Sequence, residues 1–162
     1  MIQVGEQISV KLRLNVVEAG ERRERTLAEL LTRPTVVSIY RRNNTPSCDR
    51  QTDALVAVAG ELDGQGYNLV AVSRDTCGSH TKYAAKRGVA YALVSDPDDL
   101  FAKAADAVVE KMLYGRKYHG AARAAFVLAT DGTVLAVIEK VDTRDHAVQL
   151  REVLTGLDAG KL

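Results

Sequence analysis

Ile8, Val10, Leu12, Leu14 and Val16 alternate with polar neighbours, the period-two pattern of a half-buried strand, and the polar stretch Gly20 to Arg25 after them reads as a turn. Thr26 and Glu29 form a capping-box pattern ahead of Leu27, Leu30 and Leu31, which predicts a short helix. Thr35 to Tyr40 is a compact β-branched and aromatic run, a strand, with loop signals in Asn43, Asn44 and Pro46 behind it. From Cys48 to Leu62 the apolar positions Leu55, Val58, Ala59 and Leu62 recur at helical spacing. A strand over Asn68 to Ser73 follows, then a helix from about Ser79 to Arg87 that Gly88 can close with a left-handed cap. Tyr91 to Val94 is a further strand, and Asp96-Pro97-Asp98 opens a helix through Ala105 with proline and carboxylates in its first turn. Ala124 to Ala129 and Thr133 to Ile138 flank Asp131-Gly132, a strong hairpin signal, and a last helix spans about Asp145 to Leu154. Strands alternating with helices predict an α/β fold: a mixed sheet covered on both faces.

Composition narrows the picture. At 162 residues, with no Gly/Ser-rich or Pro-rich linker and no repeat, residues 1–162 read as a single domain long enough to bury its own core. The 22 Lys+Arg against 21 Asp+Glu leave a formal charge of +1, so no global field draws nucleic acid or an anionic membrane. No apolar run reaches membrane-spanning length and the first ten residues, with Glu6 among them, lack the build of a secretion signal; a cytoplasmic protein is expected. Two cysteines in such a chain point to redox chemistry, metal binding or packing rather than a structural disulfide. Cys77-Gly78-Ser79-His80 has the spacing of a metal half-site, but no second pair completes it from His119 or His146, so neither metal nor cofactor is expected. Tyr114 and Tyr118, four apart as in a helix pair, read as packing or pocket-rim residues, and Gly115 and Gly120 lack the spacing of a phosphate loop.

The chemistry concentrates in Thr45-Pro46-Ser47-Cys48, which follows a buried-type strand and opens a helix. A cysteine in a helix's first turn sits among unpaired N–H groups at the positive end of the dipole, which favours thiolate over thiol. Thr45, three residues earlier, brings a hydroxyl within reach of the sulfur or of what the sulfur attacks. The alternative for Cys48 is a small buried hydrophobe, a common fate of free cysteines.

Thr45-Pro46-Ser47-Cys48 after Thr35 to Tyr40 resembles the active-site segment of the peroxiredoxins. The likeness continues through Val72-Ser73-Arg74-Asp75 with His80 and Tyr83, and through Leu93-Val94-Ser95-Asp96-Pro97. Lys111-Met112, Tyr114-Gly115-Arg116-Lys117-Tyr118, Gly120, Arg123, Phe126 and Asp131-Gly132 then match in order the branch called bacterioferritin comigratory protein, or Q-type. The resemblance covers about Thr35 to Leu154. It implies a thioredoxin-like fold, a central mixed sheet flanked by helices with an N-terminal β extension. It also implies a thioredoxin-dependent peroxidase that reduces hydrogen peroxide and organic hydroperoxides without metal or haem. Cys48 takes the role of peroxidatic cysteine, Thr45 and Pro46 belong to the loop around it, and Arg123 is the cationic partner. The expected partners are a peroxide and thioredoxin or another thiol reductant, and the expected assembly is a monomer or weak homodimer.

Thiol ionisation alone cannot supply the rate. Lowering a thiol's pKa from about 8.5 to about 6 raises the thiolate at pH 7 from about 3% to roughly 90%, about 30-fold. A Brønsted slope of about 0.45 takes back about 13-fold in nucleophilicity, leaving about twofold. Donors aimed at the parting peroxide oxygens must therefore stabilise the transition state, and the Thr45 hydroxyl, the Cys48 N–H and the Arg123 guanidinium are the candidates. The sulfenic acid that forms needs a resolving thiol. Many Q-type members carry a cysteine five positions on, where this chain has Asp53. Cys77 is the only other thiol and the candidate resolver, provided a helix end unwinds; otherwise an external thiol closes the cycle. Arg41 replaces a common proline, Ser47 a common glycine and Gln51 a common glutamate, while Arg41 and Arg42 either add positive potential near the pocket or, as the preferred reading, are solvated loop charges. Two other readings of the chain are a thiol–disulfide oxidoreductase on the same fold, which the missing Cys-X-X-Cys pair disfavours, and a redox-inert scaffold.

Overall fold

The computed structural model describes residues 1–160. Its centre is a seven-stranded sheet built from β1 (Arg13–Glu18), β2 (Glu21–Thr26), β3 (Thr35–Ile39), β4 (Asn68–Ser73), β5 (Ala92–Ser95), β8 (Ala125–Leu128) and β9 (Val134–Ile138). The strand order is β2-β1-β5-β4-β3-β8-β9, parallel across β5, β4 and β3 and antiparallel at both flanks. The helices are α1 (Leu27–Leu30), α2 (Pro46–Gly64), α3 (Cys77–Arg87), α4 (Leu100–Ala104) and α5 (His146–Gly160). The hairpin of β6 (Val108–Leu113) and β7 (Arg116–Ala121) forms a second, two-stranded sheet.

Successive side chains of a strand point to opposite faces, and this splits the core in two. Val37, Ile39, Val70, Val72, Phe126 and Leu128 face α1 and α4, where Leu27, Leu30, Phe101 and Ala102 pack on them. Val36, Leu69, Ala71 and Val127 face the other way, against Leu55, Val58 and Leu62 of α2, Tyr83 of α3, and Leu150 and Leu154 of α5. All five residues of β3 are buried, as the central strand of a sheet covered on both sides requires.

One expected helix start and one expected helix end hold in their chemistry. Thr26 and Glu29 close the capping box of α1, and Gly88 ends α3 in the left-handed conformation at φ 71°. Helix α3 starts earlier than Ser79, because the Thr76 side chain caps the Ser79 N–H and draws Cys77 into the first turn. Helix α4 is shorter than the stretch from Asp96; the Asp96 carboxylate accepts from the N–H groups of Leu100 and Phe101 at 2.7 and 3.0 Å instead of entering the helix.

Two regions depart from the sequence reading. The strand expected over Ile8 to Val16 is β1 from Arg13 on, and the polar turn Gly20 to Arg25 is largely strand β2. Among the described residues β2 has β1 as its only sheet neighbour, and it exposes four of its six residues, so it carries charges where a covered strand carries aliphatics. Arg13–Glu24 and Arg25–Glu18 pairs, at 2.9 and 3.4 Å, tie it to β1. The second is β6–β7, where Tyr114 and Gly115 at φ 51° and 76° make a two-residue turn. Tyr114 and Tyr118 are therefore not a helix pair: Tyr114 stands at the turn, 96% exposed, and Tyr118 lies in β7.

Candidate active site

Strands β3 and β4 run parallel side by side, and each is followed by a loop and a helix, α2 and α3. Both helix N-termini thus lie beyond the carboxyl ends of these strands, where open α/β sheets place their sites. Pro46 is the first residue of α2, a position where its missing N–H costs nothing and its fixed φ suits the helix. Asp49 makes the first bond back, to the Thr45 carbonyl at 2.8 Å, so Ser47 and Cys48 precede it in the turn whose N–H groups lack intrahelical partners. Thr45 takes the N-cap position without capping; its hydroxyl donates to the Arg42 carbonyl at 2.9 Å.

Cys48 lines a cavity of about 520 Å³ that it shares with Thr45, Ser47, Arg41, Arg42 and Arg123. Apolar wall comes from Ile39, Val72, Ala102 and Leu113, and the β6–β7 hairpin adds Lys111, Tyr118, Gly120 and Ala121. Burial pushes the Cys48 thiol up, but hydrogen bonds from the Thr45 side chain and the Arg42 and Arg41 backbone, with the Arg123 charge, outweigh it and leave the pKa below its ordinary value. Burial, then the charges of Arg41 and Arg123, lowers the Lys111 pKa. Arg123 stands just ahead of β8, half-buried, with NH1 donating to Gln51 Oε1 at 3.1 Å and NH2 to Ser47 Oγ at 3.2 Å. It is no surface arginine.

The structure therefore brings Cys48, Thr45 and Arg123 to one cavity, while Pro46 serves as the first turn of the helix below them. Cys77 is buried, 5% exposed, in the first turn of α3 and is not among the cavity-lining residues; both thiols are unpaired. The Cys48 loop is nonetheless bonded to the turn that carries Cys77. The Asn43 N–H donates to Asp75 at 3.0 Å, and its side-chain amide donates to Ser79 Oγ and His80 Nδ1, each at 3.1 Å. His80, with Nδ1 on Asn43 and Nε2 on the Val94 carbonyl at 3.0 Å, has no ring nitrogen left for a metal. Among the described residues no three His, Cys, Asp or Glu side chains converge as a metal site.

Sequence reasoning missed the cavity wall supplied by Lys111 and Leu113, because their strand went unrecognised, while Tyr118 stands at the pocket as expected and the exposed Tyr114 does not. It also left the role of Gln51 open. That side chain is fully buried and bonded at both ends, to Arg123 through its oxygen and to Ser38 and Ile39 through its nitrogen.

Residues 7–137 match the AhpC/TSA family. Peroxiredoxin Bcp of Xanthomonas campestris is 36% identical over 112 residues, 69% of this chain and 70% of that one. A putative peroxiredoxin bcp of Helicobacter pylori is 29% identical over 131 residues, 81% and 86% of the two chains. Among solved structures, the Xanthomonas campestris bacterioferritin comigratory protein, studied for alkyl peroxide reduction in trapped-intermediate and ligand complexes, superposes with TM-score 0.84 at 29% identity over 96% of this chain and 97% of that one. Peroxidoxin BcpB of Mycobacterium tuberculosis gives TM-score 0.79 at 26% identity, over 97% and 99%.

Proposed function

Because the chain belongs to the AhpC/TSA family, in its Q-type peroxiredoxin branch, we propose that its thiol-dependent peroxidase reaction runs at Cys48, with Thr45 and Arg123 as the donors that meet the peroxide. The observation that carries this reading is a thiol of lowered pKa lining the same cavity as a guanidinium held by Gln51 and Ser47. The thiolate attacks the near peroxide oxygen, an S–O bond forms as the O–O bond breaks, and the far oxygen leaves with the electron pair, to be protonated as water or an alcohol. Arg123 stabilises that developing charge, where preorganised donors accelerate most, and the Thr45 hydroxyl joins it by turning from the Arg42 carbonyl. The cavity's size and apolar wall accommodate organic hydroperoxides, such as the alkyl peroxides of the Xanthomonas protein, as well as hydrogen peroxide.

The sulfenic acid then condenses with the Cys77 thiol, releasing water and leaving a disulfide that a thiol reductant, thioredoxin in this reading, reopens. The Asn43 bonds between the two loops support Cys77, as does its place at a helix end that can unwind. A monomer or weak homodimer is the assembly in this reading. A cytoplasmic setting belongs to this reading, and among the described residues no helix is long and apolar enough to cross a membrane.

Intact mass after one equivalent of hydrogen peroxide tests both cysteines. A loss of two hydrogens, abolished in Cys48→Ser and replaced by a gain of one oxygen in Cys77→Ser, is the expected result. A lasting oxygen gain in the parent protein removes Cys77 from the cycle. Peroxide turnover that survives Cys48→Ser ends the assignment of the nucleophile.

A further inference from the structure

The cation facing the thiol does not hold itself in place. Arg123 donates to Gln51 Oε1, and an amide can be seated either way round; reversed, it would turn N–H groups towards the guanidinium. Its seating follows from what its nitrogen meets. Nε2 donates to the Ile39 carbonyl at 3.1 Å and to Ser38 Oγ at 2.9 Å. Ser38, 0% exposed, has one proton of its own, and the acceptor for it is Nε2 of the equally buried His146, at 2.9 Å.

The His146 tautomer is set from the far side. Gln149 Nε2 donates to the Lys140 carbonyl at 3.1 Å, and Gln149 Oε1 accepts from the Asp142 N–H at 3.0 Å. The atom opposite His146 Nδ1, at 3.1 Å, is therefore an acceptor, so Nδ1 carries the hydrogen and Nε2 keeps a lone pair for Ser38. Burial, the largest influence on this ring, keeps it neutral by lowering its pKa. The same loop also grips the backbone at the other end of the chain of contacts: the Val141 N–H donates to the Arg123 carbonyl at 3.0 Å.

We propose that His146 is a positioning residue for the peroxidase reaction: by taking the Ser38 proton it leaves Gln51 Oε1 wholly to Arg123, so that the loop between β9 and α5 aims the guanidinium at the peroxide. The inference rests on the roles given above to Cys48 and Arg123. Without a lone pair at the Nε2 position the Ser38 proton needs another acceptor. Gln51 Oε1, the other end of the amide already bonded to Ser38, then divides between Ser38 and Arg123.

Three variants test it. H146Q keeps an acceptor where Nε2 stands, H146N keeps one only where Nδ1 stands, and H146L keeps neither. For each, kcat/KM for hydrogen peroxide is compared with the rate of Cys48 alkylation by iodoacetamide at a pH where the thiol is fully ionised. Alkylation expels iodide and makes no use of donors aimed at a peroxide. H146N and H146L should lose roughly tenfold in kcat/KM, a fraction of what a misplaced catalytic group can cost, with alkylation within about twofold of the parent. H146Q should stay within about threefold of the parent on both measures. On an Arg123→Met background H146N should add no further loss, since it acts through that arginine. Equal losses in both assays, equal behaviour of H146Q and H146N, or full additivity with Arg123→Met would overturn the proposal. If the His146 variants do not fold, S38A removes the competing proton without touching α5 while the Ile39 carbonyl still seats Gln51, so it should lose less than about threefold in kcat/KM; a loss of about tenfold there overturns the proposal too. A parent protein with no peroxide turnover, by contrast, fails the premise and not this inference.

Discussion

At Cys48 two opposed influences meet, and their balance decides the chemistry. Burial favours the neutral thiol, whereas Thr45, the backbone of Arg42 and Arg41, and the Arg123 charge favour the thiolate, and the second group wins. The pH profile of Cys48 alkylation should accordingly turn over below the value of about 8.5 that marks a free cysteine, and Arg123→Met should move the turnover upward. A turnover at or above the free value refutes this account. Because the folded pKa lies below the unfolded one, the thiolate adds stability above the unfolded value, and that contribution fades as pH falls through the folded value. Thr45 and Cys48 were legible in the chain because the first turn of a helix is a local property of four consecutive residues. Arg123 is a single basic residue among 22 Lys+Arg and stood out only through the order of motifs around it. The ties of Gln51 to Arg123 and of His146 to Ser38 carried no readable signal, since the two ends of each come from distant places in the chain.

Secondary elements were legible in proportion to how deeply they are buried. Asn68 to Ser73 agrees with β4 end to end, and Thr35 to Tyr40 differs from β3 by one residue, because a strand covered on both faces is written almost entirely in aliphatics. β2, β6 and β7 expose most of their residues, so their composition reports solvent rather than strand. The turns separate in the same way. Gly88 and Gly132 both sit at positive φ, 71° and 86°, but an added Cβ meets nothing at Gly88 and runs into the Ile8 carbonyl and the Val10 side chain at Gly132. Gly88→Ala should cost about 1 kcal/mol of stability from backbone strain alone. Gly132→Ala should cost at least about twice that, because it also disturbs the bond from the Ile8 N–H to the Gly132 carbonyl. Urea midpoints of the two variants decide; equal shifts would mean that the N-terminal segment yields freely.

Across the whole molecule, His80 and His146 place two neutral imidazoles in the core, each with both ring nitrogens engaged and each held below the ordinary pKa by burial. Between their folded pKa values and about 6.5 the unfolded chain binds more protons than the native one, so stability rises with pH there. The melting temperature should fall as pH drops below about 6.5, and replacing His146 by Gln should shallow that fall; a flat profile from neutral pH to well below 6 would contradict the neutral assignment. What the amino-acid order determined by itself was the α/β alternation, the capping box of α1, the covered strands and the place of Cys48 in the first turn of a helix, all of which depend on neighbours within a turn or a pleat. Tertiary structure alone decided the β6–β7 wall of the cavity, the seat of Arg123 on Gln51 and the polar path back to His146. The physical reason is that a buried hydrogen bond between distant residues leaves no periodicity, and comes into being only when the sheet order sets β3 beside β8 and the start of α5 against them.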